Sequence, residues 1–408
     1  MKRKQGIFFI IIMMLVLFAG TAFSQENLHI YGYFSTRLEK VFSEPSVQNG
    51  SIVKESAPAE WSYPFFNLMM QHQVANKFKV FINFNGAGAS NVQLSNFWGE
   101  YTASTLFSVR FGKIYRKFGL YNEILDAVPT YLGIEPPELF DGDHLIVSRT
   151  TSFMLLGSAQ AGTGKLNYSL STDNGEGGPA KDMFPLGWDV NYIVNGGDLK
   201  VGLSGYTSGG KTSSDVSLGS GSPKSGVLPW MASDEFSVFG GYAEGHVSNF
   251  QLQGAFWTSA HDAVRDPASV VMVVNSAGVN DAQRARFLTN PTGAVTESNV
   301  NTVGDYDVKT FYARAGYSIY TMKGEFTPYF QWDYYENPET IKSKSWGGDN
   351  EAGLADDGKF KKGTIGIIFR PIPQVAVKLD GSAHFQKLNG ENNSYPEIRF
   401  DISYIFGQ

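Results

Sequence analysis

The sequence predicts an all-β chain that closes into a transmembrane antiparallel β-barrel of about sixteen strands. Three observations predict it. A leader sends the chain across a membrane, short runs alternate apolar with polar residues along the whole length, and the connections between runs are short and long in turn.

The leader comes first. Lys2, Arg3 and Lys4 make a positive start, residues 7–18 are apolar, and Ala22 and Ser24 are small residues at −3 and −1 of a cut before Gln25. That is the pattern of a cleaved signal peptide, so the expected division is 1–24 signal peptide and 25–408 barrel. The apolar run is too short for a spanning helix, which needs about 20 apolar residues. No Cys follows the cut, so no lipid-anchored form is expected.

Composition narrows the rest. Without the leader the chain keeps 30 of its 33 basic residues and all 39 acidic ones. This mild acidity argues against nucleic acid as a partner. The absence of Cys excludes a disulfide framework and thiolate metal sites. The chain is rich in Gly (45), Phe (31) and Tyr (20), yet only 42% hydrophobic, because its apolar residues come in short alternating runs rather than continuous ones. A wall with lipid outside and water inside requires that alternation.

At the start, Leu28, Ile30, Phe34 and Leu38 alternate with His29, Tyr31, Ser35, Arg37 and Glu39. Phe311, Ala313, Ala315, Tyr317 and Ile319 stand opposite Thr310, Tyr312, Arg314 and Ser318, and Phe326, Phe330, Trp332 and Tyr334 opposite Glu325, Thr327, Gln331 and Asp333. Val375, Val377, Leu379, Ala383 and Phe385 oppose Gln374, Lys378, Asp380, Ser382 and His384. Last, Ile398, Phe400, Ile402, Tyr404 and Phe406 oppose Glu397, Arg399, Asp401 and Ser403. Side chains alternate across a strand, so each run has one apolar and one polar face. A soluble sandwich would not usually put aromatic residues on the outer face of strand after strand.

Gly, Asn, Asp and Pro place short turns at 75–77, 103–105, 162–164, 195–198, 247–249, 322–324 and 370–373. Longer loops are expected at 43–62, 85–90, 116–150, 173–186, 207–232, 260–306, 337–359 and 386–394. An even strand number then puts both termini on the short-turn side.

The third loop, 116–150, carries Arg116, Lys117, Glu123, Asp126, Glu135, Glu138, Asp141, Asp143 and Arg149, an excess of acids. A loop this long without helical periodicity is usually functional or disordered. Folded inward, its carboxylates would face Arg37, Lys79 and Arg110, each inward by the alternation of its own strand, and such opposed charges set ion selectivity. The acid excess tilts the pore toward cations. Inward Lys200, Arg314, Lys362, Lys378 and Arg399 tilt it the other way.

Pro137, Glu138, Phe140, Gly142 and Asp143, interrupted by Leu139 and Asp141, resemble the third-loop motif of the sixteen-stranded porins of bacterial outer membranes. Phe118, Gly119, Tyr121 and Asn122 are similar to the mouth of that loop in porins of the phosphate-selective type. The resemblance implies an outer-membrane channel for passive diffusion of small hydrophilic solutes and ions, narrowed by the inward third loop, with no cofactor. It implies as partners lipid and lipopolysaccharide, a homotrimer, and the barrel-assembly machinery, which would read the strand ending Ile402, Tyr404 and Phe406. An anion or phosphate uptake channel, and a closed barrel with a binding or adhesive role through its long loops, stay open.

Other chemistry is weaker. Gly205, Gly210, Lys211 and Thr212 match a phosphate-binding loop, but the Gly- and Ser-rich run after them starts no helix to hold a phosphate. The six histidines, His29, His72, His144, His246, His261 and His384, form no metal spacing. His384 and His144 read as polar pore wall. No nucleophile-elbow pattern is present, so no enzyme is expected; a triad assembled only in space stays open.

Overall fold

A computed structural model of the chain describes residues 27–407, apart from 49–50, 63, 88–90, 125–126, 141–143, 145, 174–183, 195 and 350. The leader and its expected cut at Ser24 lie outside the described residues, as do Asp126, Asp141 and Asp143.

Among the described residues, sixteen long strands form one antiparallel sheet. They are β1 (Leu28–Val41), β2 (Phe65–Ala75), β3 (Phe78–Ala87), β4 (Gln93–Ser104), β5 (Phe107–Tyr115), β6 (Thr150–Ala161), β7 (Gly164–Thr172) and β8 (Leu186–Ile193). Then come β9 (Leu199–Thr207), β10 (Met231–Val247), β11 (Phe250–Arg265), β12 (Tyr306–Tyr317), β13 (Gly324–Glu336), β14 (Lys359–Ile372), β15 (Val375–Leu388) and β16 (Glu391–Phe406). Each pairs with its neighbours in the chain. The ring closes because β1 pairs with β2, Phe34 opposite Phe66, and also with β16, Arg37 opposite Asp401. Closure leaves no unpaired sheet edge, which hydrocarbon would penalise by several kcal/mol per orphaned group. Glu60–Trp61 prolongs β2, Ile319–Thr321 prolongs β12, and Glu44–Gln48 pairs with Ser51–Glu55 in the first long loop.

Burial runs the wrong way round for a soluble protein. Lys378 and Asp401 are 0% exposed, whereas Phe330 is 46% and Ile365 68% exposed. The apolar face of each strand points out and the polar face in, the arrangement that suits lipid around a polar lumen. Outward rings pack across strands, as Phe326 does on Phe369 at 4.5 Å and Phe311 on Tyr334 at 5.1 Å. No helix among the described residues is long and apolar enough to cross a membrane.

Several expected boundaries need correction: β11 runs to Arg265, past the expected loop start at 260, β3 runs to Ala87, past the expected loop start at 85, and three connections move. The last connection is not a loop over 386–394. β15 runs to Leu388 and β16 starts at Glu391, so the connection is Asn389–Gly390, both at positive φ (50° and 79°). That is the Asn-Gly pair a two-residue hairpin with the right twist demands. The expected turn at 370–373 shifts to 373–374, because a bulge between Phe369 and Ile372 carries β14 further. The 103–105 turn likewise sits at 105–106, between β4 and β5.

The loop after β11 contains two helices that alternation does not reveal. Asp266 caps α1 (Pro267–Ser276), accepting from the Ser269 amide at 2.8 Å, with Pro267 in the first turn. Asn280 and Gln283 form a reciprocal capping box on α2 (Asp281–Phe287). Val270, Val273 and Phe287 pack with Trp230 from the loop before β10. Trp230 Nε1 donates to Glu339 at 3.2 Å and Gln283 Nε2 to the Gly353 carbonyl at 2.7 Å. Loops 208–230, 266–305 and 337–358 thus make one apolar-cored cap at the long-loop end.

Candidate functional site

The third loop, 116–149, leaves the wall between β5 and β6. Its base is tied down there. Arg116, fully buried, donates to Asp173 Oδ2 at 2.8 Å, Ser171 Oγ at 2.9 Å and the Ser148 carbonyl at 3.1 Å. Gly187 makes room for this guanidinium, since a Cβ there would lie 2.4 Å from Arg116 Nη1. Asn122 Nδ2 donates to the carbonyls of Arg116 and Arg149, drawing the two ends of the loop together.

The middle of the loop bonds to the opposite part of the ring. Phe118 stacks on Trp257 of β11 at 5.3 Å, with Gly119 at φ 65° beneath the same indole, and Tyr121 bonds to Gln253. Arg314 of β12 donates to Tyr121 Oη at 2.9 Å, the Leu132 carbonyl at 2.7 Å and the Glu135 carbonyl at 2.6 Å. Lys378 of β15 donates to the carbonyls of Val128, Tyr131 and Gly133 at 2.5, 3.0 and 2.7 Å. These two bases therefore grip loop backbone rather than loop carboxylates.

The carboxylates are met by other bases. Glu135 takes Arg37 at 2.9 Å, Lys362 at 2.8 Å and Arg399 at 2.5 Å. Burial raises its pKa, but Arg399, Lys362 and Arg37 outweigh burial and hold it well below the usual carboxylate range. Glu138 takes Lys362 at 2.6 Å and sits in a short 3-10 turn, Glu138–Phe140. Glu123 pairs with Lys117 at 2.8 Å and comes within 4.0 Å of Arg110. The barrel interior around it raises its pKa, and Lys117 and Arg110 more than reverse this although the side chain stays partly exposed. Lys79 turns instead to Glu100 on its own wall, at 2.8 Å, and Arg110 joins the same carboxylate at 2.6 Å while lying over Trp98 at 3.9 Å.

The interior is not filled evenly. Against β1–β5 lies an opening of about 300 Å³, lined by Tyr33, Asn67, Lys79, Trp98, Arg110 and the loop's Glu123, among others. The loop thus packs against β11–β16 and, through Glu135, against Arg37 of β1, and leaves space along the rest of β1–β5.

Two clusters escape sequence reasoning because their members meet only in the fold. Ser259 Oγ lies 2.9 Å from His261 Nε2, and His261 Nδ1 lies 2.8 Å from Asp234 Oδ2, the order of a hydrolase triad. The ring of His261 is held between Phe236 and Tyr306 and lines a cavity of about 600 Å³, while Ser259 is fully buried beneath it. The second cluster is His144 with Asp349 and Glu351. At the other motif, no helix follows Gly210, Lys211 and Thr212; Thr212 instead pairs with Asp234.

No family profile and no curated protein matches the sequence. Solved structures do. The chain is similar to an anion-selective porin from Comamonas acidovorans (TM-score 0.54, 11% identity, 93% of this chain and 99% of that one). It is similar also to the outer-membrane channel DcaP of Acinetobacter baumannii (0.51, 10%, 94% and 99%) and to outer-membrane expressed OmpT of Vibrio cholerae (0.52, 10%, 93% and 97%). These likenesses define the class of fold: the sixteen-stranded barrel of outer-membrane porins.

Proposed function

We propose that this chain is an outer-membrane porin: a water-filled channel through which small hydrophilic solutes and ions diffuse passively, with segment 116–149 as its constriction. The observation that carries this is the pinning of Glu135 and of the loop backbone by Arg37, Arg314, Lys362, Lys378 and Arg399, beside an opening along β1–β5. The reaction has no chemical step. Solutes are filtered by the width of the opening and by Lys79, Arg110 and Glu123 at its wall. Lipid and lipopolysaccharide surround the apolar face, the assembly machinery reads the last strand, and a homotrimer is its oligomeric state. Purified protein in a planar bilayer should give stepwise, ohmic conductance. A folded barrel that never conducts would favour a closed barrel whose capped loops bind a partner.

The second reading, an anion channel, is favoured by one observation. Glu135 and Glu138 are spent on Lys362 and its neighbours, so Lys79 and Arg110 beside the opening share the single carboxylate of Glu100, with Glu123 4.0 Å from Arg110. A reversal potential measured in a KCl gradient separates the two readings.

A further inference from the structure

His144 is completely buried near the end of the third loop, and its ring lies against Tyr335 at 4.2 Å and Phe360 at 5.3 Å. Nδ1 is 3.0 Å from the Glu138 carbonyl oxygen. A carbonyl only accepts, so Nδ1 carries the hydrogen and, in the neutral ring, the lone pair sits on Nε2. That nitrogen makes no hydrogen bond. It points at Asp349 Oδ1, 3.6 Å away, and Glu351 Oε2, 3.9 Å away, and the three ligand atoms all lie within 4.8 Å of one another.

These spacings are long for direct hydrogen bonds, which close to about 2.7–2.9 Å when charge-assisted. The 3.6 Å spacing suits atoms that share an ion, and the 3.9 Å one needs a small inward closure of the partly exposed Glu351 side chain. Ligands bound at about 2.0–2.2 Å around a tetrahedral centre stand roughly 3.3–3.6 Å apart. The surroundings fit as well. A metal-binding imidazole usually gives its other N–H to a carbonyl or carboxylate, which fixes tautomer and ring orientation; here the Glu138 carbonyl does so. Asp349 Oδ1 is oriented by the Gly353 amide at 3.0 Å, and its Oδ2 is buried without a hydrogen-bond partner. Glu351 is the partly exposed member and provides a way in.

We propose that His144, Asp349 and Glu351 bind a divalent cation of the zinc class, with water as the remaining ligand. One nitrogen and two carboxylate oxygens suit zinc better than a hard cation such as Ca²⁺, which takes six or more oxygens. The ion fastens the third loop to the 337–358 loop. It is coupled to the constriction through Glu138, whose carbonyl orients His144 and whose carboxylate holds Lys362. The site does not depend on the chain being a channel.

The test uses the purified, folded full chain, stripped with a chelator and titrated with ZnCl₂ by calorimetry. One Zn²⁺ per chain is expected, in preference to Ca²⁺ and Mg²⁺. His144→Gln should abolish it. Asp349→Asn and Glu351→Gln should each weaken it at least as much as loss of an outer partner does, about 10–100-fold. Heat-modifiable mobility reports folding for each variant, and Glu351→Gln, at the partly exposed position, keeps the test available if burial makes His144→Gln unfold. Absence of saturable Zn²⁺ binding to folded wild-type protein would overturn the proposal, as would wild-type affinity in folded Glu351→Gln and Asp349→Asn.

Discussion

Arg37 Nη1 donates to Glu135 Oε1 at 2.9 Å, joining the first strand of the barrel to the third loop. The same carboxylate holds Lys362 and Arg399, so one loop residue ties β1, β14 and β16. Glu135→Gln removes the charge and leaves three bases facing each other. It should destabilise the docked loop by about 1.5–3 kcal/mol, the range for a hydrogen bond to a charged group. In single-channel recordings the variant should show more open-state noise than wild type. A quiet trace of unchanged conductance would mean that the loop does not depend on Glu135.

The same carboxylate makes a pH prediction. Its folded pKa lies well below the usual range. A lowered carboxylate pKa gives stability that is fully present above the unfolded value, about 4.3, and is lost as pH falls through the folded one. Conductance noise should therefore be flat in the neutral range and rise only in strong acid, below about pH 4. In Glu135→Gln this acid-dependent rise should be smaller, what remains coming from Glu138 on Lys362 and Glu123 on Lys117. A rise near pH 6 in wild type would assign the transition to a different group.

Glu123 is the loop carboxylate at the wall of the opening, with its side chain 39% exposed. Glu123→Gln should shift the reversal potential in a KCl gradient toward chloride by leaving Lys117 and Arg110 less opposed. Screening limits the reach of such charges to about 8–10 Å at ordinary salt, so the shift should shrink as salt rises. An unchanged potential would place the conducting path away from β1–β5.

What the sequence could show depended on range. Alternation is local, so the two faces of β13, β15 and β16 were legible from residue order alone. The opposition of Glu135 to Arg37 was legible as a pairing of types, because an acidic loop and inward bases attract whatever the details. The grip of Arg314 and Lys378 on carbonyls of residues 128–135 was not, since every residue carries a carbonyl and its type says nothing of it. His144 meets Asp349 only through the fold. The Asn389–Gly390 turn was a local signal, hidden among the polar residues at the end of two long strands. The caps of α1 and α2 were local too, but helices this short leave little periodicity to read.

The outward face makes a depth-dependent prediction. Phe330 lies in mid-strand of β13, 46% exposed on the apolar side. Arg at the midplane of a membrane barrel costs about 2–4 kcal/mol, so Phe330→Arg should lose about that much in reversible unfolding from lipid. Gln71→Arg, at the wall of the opening, should lose much less. Asp401→Arg would be a poor control for the inner face, because Asp401 is fully buried and would set an arginine against Arg37 across the β1–β16 pair. Equal losses for Phe330→Arg and Gln71→Arg would refute the inside-outside assignment.

The closing seam depends on Gly32 and Phe406, which are paired across β1 and β16. A Cβ at Gly32 would lie 2.2 Å from the Asn67 carbonyl oxygen and 2.5 Å from the Phe406 ring, so the glycine lets the neighbouring strand approach and provides the groove in which the last aromatic rests. Covering a strand glycine with a cross-strand aromatic protects an otherwise bare backbone and pins the register. Phe406→Asp removes that cover and puts a charge on the apolar face; Gly32→Val displaces the ring and also crowds the Asn67 carbonyl, but keeps the C-terminal sequence. If the ring matters for closure, both variants should give less heat-modifiable folded barrel. If it matters only as a signal to the assembly machinery, Phe406→Asp should fall in cells and yet refold in detergent as well as wild type. Normal yield of both variants in cells and in detergent would show that the contact does neither.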